Sequence, residues 1–334
     1  MGLKLVSVPE KSKKSSLSTI AGFFALAVLI SGCATLPADD PIEEVDYRAC
    51  LVTDGDPMRP GLADTAVYAL NQAVVTFGVK KEIAASNPSK FAGTTEKLID
   101  GGCNFIAVVG SRFTDQLVEV VSASPAVNYL FITDSEASEV LKADLPNLAV
   151  YTVDVYEAGL LAGHIAASFS ENRQLAVVCG KSVNANYFRG IRDGVAAFDR
   201  ESETVTSVNV ENSMVVMSDV LLPYGCRDQL NSGSTAYRLP FKVVGFGRDL
   251  FFDKELELLQ PKVAATVVPQ TGERLLEAIA ADLESEFIGG ILGSTTATYG
   301  NRGLVISEEH AIVTPAGERE RLNELAVAYE LTLK

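Results

Sequence analysis

The sequence predicts an α/β protein of two Rossmann-like lobes with parallel sheets, and three observations support this fold class. Short apolar runs that suit buried strands alternate with amphipathic segments of about a dozen residues, a pattern typical of βαβ units. The alternation begins near Tyr47, and a second series of the same kind begins near Tyr156. The chain of 334 residues is also long for one hydrophobic core and suits two lobes.

The first lobe is predicted to span residues 47–153. Its strands are short apolar runs at 49–53, 79–84, 104–109, 127–133 and 148–153. Its helices lie between them at 61–77, 88–99 and 114–122. The helix at 61–77 carries apolar residues at helical spacing, whereas the next one has Asn87 as its N-cap, Pro88 at its first position and Gly101 beyond its end.

The second lobe is predicted to span residues 154–269, opening with a helix at 156–169 that is rich in Ala and Gly and should pack tightly. A helix at 185–198 follows, and the strands are apolar runs at 175–179, 205–210, 220–222, 243–246 and 264–268. We expect about 270–286, with a helix at 272–283, to complete the first lobe. About 287–334, with short strands around Ile291 and Leu304, should complete the second.

The fold class also predicts where a ligand would bind. In open α/β sheets, ligands lie beyond the carboxyl ends of the parallel strands. Two lobes that face each other would therefore share one site, in the cleft between them.

The first 46 residues indicate export and anchoring. Four lysines precede an apolar run from Ile20 to Ile30, which suits a signal-peptide core and is short for a membrane span. Small residues lie directly before Cys33, as in the lipobox of bacterial lipoproteins, where diacylglycerol is attached to the Cys thiol. We therefore predict a signal peptide over 1–32, lipid attachment at Cys33, a flexible tether over 33–46 and the extracytoplasmic face of the cell membrane. The alternative is an ordinary secretory signal with an incidental cysteine.

Composition and motifs favour a binding protein over an enzyme. The net charge of −15 provides no electrostatic footprint for nucleic acid. The chain contains no common catalytic motif, and its two histidines, His164 and His310, are far apart in sequence. His164 lies within a predicted helix, where packing is the simpler role. No cluster has the spacing of metal ligands, so we expect neither a metal nor a cofactor.

The cysteines beyond Cys33 admit more than one interpretation. Cys50 and Cys103 are expected to be free thiols in the core, since Cys is a common buried residue. Cys179 and Cys226 each follow a strand-like run, and export permits disulfides. A bond between these two is therefore a second possibility.

Five segments, taken in order, resemble the basic membrane protein family, whose members are lipoproteins and substrate-binding proteins of ABC importers. The segments are Leu51–Gly55, Val108–Asp115, Asp154–Gly163, Val178–Gly180 followed by Tyr187–Gly194, and Val243–Asp249. The resemblance implies a type I periplasmic-binding-protein fold, in which three crossovers join two lobes that close by a hinge. It also implies a nucleoside-like solute as ligand, and permease and ATPase subunits as partners.

The resemblance implies four ligand-binding residues. Asp54 matches a family Asp at the end of the first strand, although an Asp-Gly turn explains it equally well. Tyr187 matches an aromatic that would stack on a base, with core packing as the alternative. Asp115 matches a family position but suits a helix-terminal role better. Asp249 matches the second Asp of a family Asp-x-Asp stretch.

The sequence also departs from the family pattern. Leu62 and Ala63 stand where the family has a stacking Phe and an Asn, and Pro269 stands where it has a Lys. These departures keep open a surface lipoprotein with a degenerate pocket that senses or binds a partner and does not serve transport. A cell-wall hydrolase that uses paired carboxylates is a third and weaker hypothesis.

Overall fold

The computed structural model describes residues 46–57, 61–171, 174–179, 184–198, 204–208, 218–224, 241–247, 260–307 and 317–332. In chain order the strands are β1 (Arg48–Thr53), β2 (Lys80–Ala85), β3 (Phe105–Val109), β4 (Asn128–Thr133), β5 (Leu148–Val153), β6 (Gln174–Cys179), β7 (Thr204–Val208), β8 (Val220–Tyr224), β9 (Lys242–Phe246), β10 (Val263–Pro269), β11 (Thr295–Ala297) and β12 (Leu304–Ser307). The helices are α1 (Leu62–Phe77), α2 (Phe91–Asp100), α3 (Thr114–Ser122), α4 (Ser138–Lys142), α5 (Val155–Phe169), α6 (Ala185–Phe198), α7 (Thr271–Leu283), α8 (Gly290–Gly293) and α9 (Glu318–Thr332).

The strands form two six-stranded sheets, which confirms the predicted fold class. The first sheet has the order β11-β5-β4-β3-β1-β2, and the second has the order β12-β10-β9-β8-β6-β7. All pairs in the first sheet are parallel, and in the second sheet β12 alone runs antiparallel, beside β10. Within the described residues, the chain passes between the sheets after β5, after β10 and after β11.

The boundary expected for the end of the chain was wrong in one respect. The region around Ile291 forms the short helix α8, and the strand that follows, β11, pairs with β5 of the first sheet. The reason is close backbone contact, because a Cβ at Gly289 would overlap the Pro146 carbonyl at the edge of that sheet. Gly289 thus allows the chain to approach the edge of the first sheet before β12 joins the second sheet.

The second lobe is built around two helices in backbone contact. Helix α5 is buried along nearly its whole length, from Val155 to Phe169. Cβ atoms placed at Gly159 or Gly163 would overlap backbone atoms of α6, and those placed on α6 at Gly190 or Gly194 would overlap α5. The tight packing predicted from the Ala and Gly content of α5 is therefore confirmed.

The expectation of free thiols at Cys50 and Cys103 was wrong. The two residues form a disulfide, with their Cα atoms 6.0 Å apart and a sequence separation of 53. Cys50 lies in β1 and Cys103 just before β3, so the pairing of these neighbouring strands brings the thiols together. Both residues are buried, as expected, but their pairing depends on strand order, which sequence spacing does not reveal.

None of the described helices combines the length and the apolar character that a membrane span needs. Cys33 and Cys226 lie outside the described residues, and so do the predicted signal peptide and nearly all of the tether.

Candidate functional site

The candidate site lies where the strand ends of the two lobes meet. In the first lobe, Asp54 follows β1, Gly110 follows β3 and Asp134 follows β4, all at the carboxyl edge of the sheet. In the second lobe, Gly247 follows β9, and a Cβ placed there would lie 3.3 Å from the Cα of Gly61, just before α1. The two carboxyl edges therefore face each other, as the fold class predicts.

Asp54 is held at this edge by backbone and by Arg112. Its N–H donates to the Val109 carbonyl at 3.1 Å. Its carboxylate lies 3.3 Å from Nε of Arg112, and Nη2 of the same guanidinium donates to the Asp54 carbonyl oxygen. The side chains are 33% and 57% exposed, so the ion pair contributes at most about 1 kcal/mol of stability. Asp54 thus remains partly accessible, with part of its charge offset.

A glycine gives Asp54 its position. Gly110 has φ of 125°, a conformation that favours glycine, and a Cβ there would overlap the Asp54 side chain. The end of β3 therefore leaves room for a carboxylate from β1 to lie across it.

Asp134 is a second carboxyl group at the same edge and was not predicted from the sequence. Burial is the main factor that raises its pKa, and the nearby Asp54 charge raises it further. Hydrogen bonds from Ser135 and Ser111 act in the opposite direction. Its position could have indicated it, because Asp134 directly follows the buried strand β4, just as Asp54 directly follows β1. Together the two groups form an acceptor-rich edge that suits hydroxyl or amino donors.

Tyr187 lies in the first turn of α6, where the Asn184 side chain caps the helix by accepting the Asn186 N–H at 2.9 Å. The Tyr187 side chain is fully buried. Its ring is 4.8 Å from the ring of Phe246, tilted by 35°. In this conformation Tyr187 supports its neighbour and has no exposed face on which a base would stack.

Among the described residues, Phe246 is an aromatic at the carboxyl edge of the second sheet that keeps some of its surface exposed. It is the last residue of β9 and is partly buried, with Tyr187 behind it. Phe246 was not predicted as a site residue, although an aromatic at the end of a buried strand could have indicated it.

Two other predicted residues and His164 add no contact to this group within the described part of the chain. Asp115 is exposed in the first turn of α3, a place that suits a helix-dipole role. Asp249 lies outside the described residues. His164 is buried in α5 with its ring edge-on to Phe198, at a centroid distance of 5.2 Å. Among the described residues, no group of three or more His, Cys, Asp or Glu side chains has an arrangement that would hold a metal ion.

The fold is the two-lobed fold of the type I periplasmic solute-binding proteins. The similar solved structures include an ABC transporter solute-binding protein from Conexibacter woesei, at 15% identity and a TM-score of 0.63, covering 86% of this chain and 97% of that one. Another, from Aeropyrum pernix, has 16% identity and a TM-score of 0.63 and covers 86% of each chain. At these identities the likeness establishes the fold.

The family is indicated by the sequence comparisons. The model of the Bmp family, described as ABC transporter substrate-binding protein PnrA-like, matches residues 64–213. Basic membrane protein A1 of Borrelia garinii is 24% identical over 150 residues, which are 45% of this chain and 42% of that protein. The matched region thus spans less than half of this relative. These matches support the predicted resemblance to the basic membrane protein family over this part of the chain.

Proposed function

We propose that the chain is the lipid-anchored solute receptor of an ABC importer, displayed on the extracytoplasmic face of the membrane, and that its solute is a neutral nucleoside. The observation that carries this proposal is that the facing strand ends offer two different surfaces, one acidic and one aromatic. The first lobe presents the Asp54 carboxylate, and the second presents the Phe246 ring supported by Tyr187.

These two surfaces match the two halves of a nucleoside. A carboxylate accepts hydrogen bonds from two neighbouring ribose hydroxyls, and hydrogen bonds to a charged group are stronger than neutral ones. A planar base packs well against an aromatic ring. Among the described residues of this edge, an added phosphate would meet two carboxyl groups, Asp54 and Asp134, and one cation, Arg112, which already offsets Asp54. This arrangement favours nucleosides over nucleotides.

The disulfide supports the proposed location. Disulfides persist in oxidising compartments and are rare in the reducing cytosol. The Cys50–Cys103 bond is therefore an argument for export that is independent of the predicted signal peptide and of Cys33. Lipid attachment at Cys33 would keep the receptor near the permease and ATPase subunits that we propose as its partners.

A thermal-shift screen of the purified chain tests this proposal. The panel contains inosine, adenosine, guanosine and uridine, with ribose, the free bases and the matching monophosphates as comparisons. A ligand at a hundredfold excess over its Kd stabilises the folded state by about 2.7 kcal/mol, which a melting curve resolves. We expect at least one nucleoside to stabilise the chain more than its monophosphate does.

The variant Asp54→Asn sharpens the screen. It removes a charged acceptor worth about 1.5–3 kcal/mol, so nucleoside affinity should fall tenfold or more. Asp100→Asn is the matched control, because Asp100 is exposed at the end of α2, in the last residue of that helix. Equal binding by both variants would contradict the role of Asp54, and no shift with any nucleoside would contradict the ligand class.

A surface lipoprotein without a transport role is the second candidate. Two observations favour it: Asp54 is already paired with Arg112, and Tyr187 has no exposed face. This candidate predicts that no small solute in the panel stabilises the chain. It also predicts that the chain, isolated from its membrane in mild detergent, brings down no permease or ATPase subunit.

A further inference from the structure

The segments that connect the two lobes meet around one loop, residues 298–303, between β11 and β12. The Asn301 side chain fixes this loop, because its Oδ1 accepts the N–H of Thr298 at 3.0 Å and that of Gly303 at 2.9 Å. The Gly303 carbonyl in turn accepts the N–H of Gln270, in the connection between β10 and α7, at 2.8 Å. Movements of the lobes must therefore act on this loop.

Glu157 joins the same loop to the third connection, which follows β5. It lies in the first turn of α5, and its side chain is fully buried. Its Oε2 accepts the backbone N–H of Tyr299 at 3.1 Å, whereas its Oε1 is buried with no hydrogen-bond partner. An ionised carboxylate in this setting is costly, since burial removes its hydration and one oxygen has no donor.

Neighbouring carboxylates make the ionised form costlier still. Asp154 caps α5 by accepting the Glu157 N–H at 2.9 Å, and it also accepts the Tyr329 hydroxyl at 2.9 Å. Glu330, on α9, accepts the Thr298 hydroxyl at 3.2 Å. Burial, followed by the charges of Asp154 and Glu330, raises the pKa of Glu157 to about 7, and the Tyr299 N–H opposes this rise only in part.

The charged groups of α6 and β9, two elements packed against α5, are engaged elsewhere. From α6, Arg189 lies over the Tyr156 ring at 4.8 Å, and Asp193 accepts the Tyr156 hydroxyl at 2.8 Å. From β9, Lys242 donates to the Phe169 carbonyl at the far end of α5. Over the part of the chain that the structure describes, no cation is paired with Glu157 and no metal-binding group forms. The charge of the Glu157 side chain is therefore neutralised by a proton.

We propose that Glu157 is a proton-carrying latch of the interlobe connection. With its proton, the buried side chain holds α5 against the loop at 298–303. Without it, the carboxylate draws water or moves outward, and the loop loosens. The proposal goes beyond solute binding and needs no ligand for its test.

The sign of the effect follows from the pKa. Since the folded pKa is raised from 4.5 to about 7, the folded state holds a proton that the unfolded chain has released. The contribution of Glu157 to stability is complete below pH 4.5 and is lost as the pH rises through 7.

Hydrogen–deuterium exchange of the full chain, between pH 5.5 and 8.5 and corrected for intrinsic exchange rates, tests the latch. In the wild type, protection of the peptide that covers 298–303 should fall about tenfold or more over this range, since one pKa unit is a tenfold change. Glu157→Gln mimics the neutral form and should keep its protection. Glu324→Gln, at an exposed position on α9, should behave as the wild type does. Equal pH profiles for the wild type and Glu157→Gln would overturn the proposal.

A second variant keeps the test decisive if Glu157→Gln does not fold. Glu330→Gln removes one of the charges that raise the Glu157 pKa, so the midpoint of loosening should move to lower pH. A structural role for Glu330 alone would change the protection at every pH and leave the midpoint in place, and an unmoved midpoint would overturn the proposal.

Discussion

The first lobe carries a covalent cross-link between neighbouring strands, whereas the second depends on two helices whose backbones touch. In the first, the Cys50–Cys103 bond closes a long loop around β1 and β3. In the second, the glycines of α5 and α6 bring carbonyl groups within reach of the opposite helix. The contrast shows that one fold, used twice, is stabilised by two mechanisms with different sensitivities. A reductant acts on the first lobe, and a single added methyl group acts on the second.

Removal of the disulfide is expected to have the largest effect. The double variant Cys50→Ala, Cys103→Ala frees a loop with a sequence separation of 53, and the chain-entropy estimate for such a loop is about 4 kcal/mol. Urea unfolding followed by circular dichroism should show a loss of about 2–4 kcal/mol. A reductant should produce a similar loss in the wild type and none in the double variant. Equal stability of the oxidised wild type and the double variant would show that the cross-link does not support the first lobe.

Gly163→Ala is expected to have the second-largest effect and to lower the free energy of unfolding by about 3 kcal/mol. The new methyl group would overlap the Ile191 carbonyl, so the two helices of the second lobe must separate. Gly93→Ala is the matched control, because Gly93 is also helical but has open space around it. The control should gain about 0.5–1 kcal/mol from better helix propensity. Changes of the same sign in both variants would contradict the account of backbone contact.

Asp282→Ala should lower the free energy of unfolding by about 1–3 kcal/mol, through lost contacts in the first lobe. Asp282 of α7 accepts the Tyr47 hydroxyl and the Asn128 side-chain amide, so its loss leaves two part-buried donors unsatisfied. Glu284→Ala, two residues further on and exposed, is the control. Urea unfolding should separate the two variants, and matching midpoints would show that these hydrogen bonds do not hold α7 in place.

Arg112→Ala should have the smallest effect on stability, below about 1 kcal/mol, because its ion pair with Asp54 is exposed. The comparison with Asp282→Ala separates a residue at the candidate site from one that holds a helix in place. A loss above 2 kcal/mol, measured in the same urea experiment, would assign Arg112 a structural role.

The sequence predicted the fold because strand and helix periodicity repeat clearly along both lobes. The Ala and Gly content of α5 also predicted its close packing, which the glycine contacts confirm. The cross-link was missed because it depends on which strands become neighbours, and β1 lies between β2 and β3 only after the crossovers have formed. The destination of β11 was missed for the same reason.

The candidate site was only partly predictable. Asp54 was selected from its place after β1, and the same rule, applied to β4, would have selected Asp134. Tyr187 was selected as a stacking residue from the family pattern, but helix packing buries it behind Phe246. Burial of a helical aromatic depends on how closely the next helix approaches, and that approach is set by glycines on the partner helix.

Native mass spectrometry of the full chain, incubated with an equimolar mixture of nucleosides and their monophosphates, tests the central claim most directly. The account predicts a complex with one neutral nucleoside per chain, lost in Asp54→Asn and kept in Asp100→Asn. A complex with a monophosphate in preference to its nucleoside, or nucleoside retention by Asp54→Asn, would contradict it.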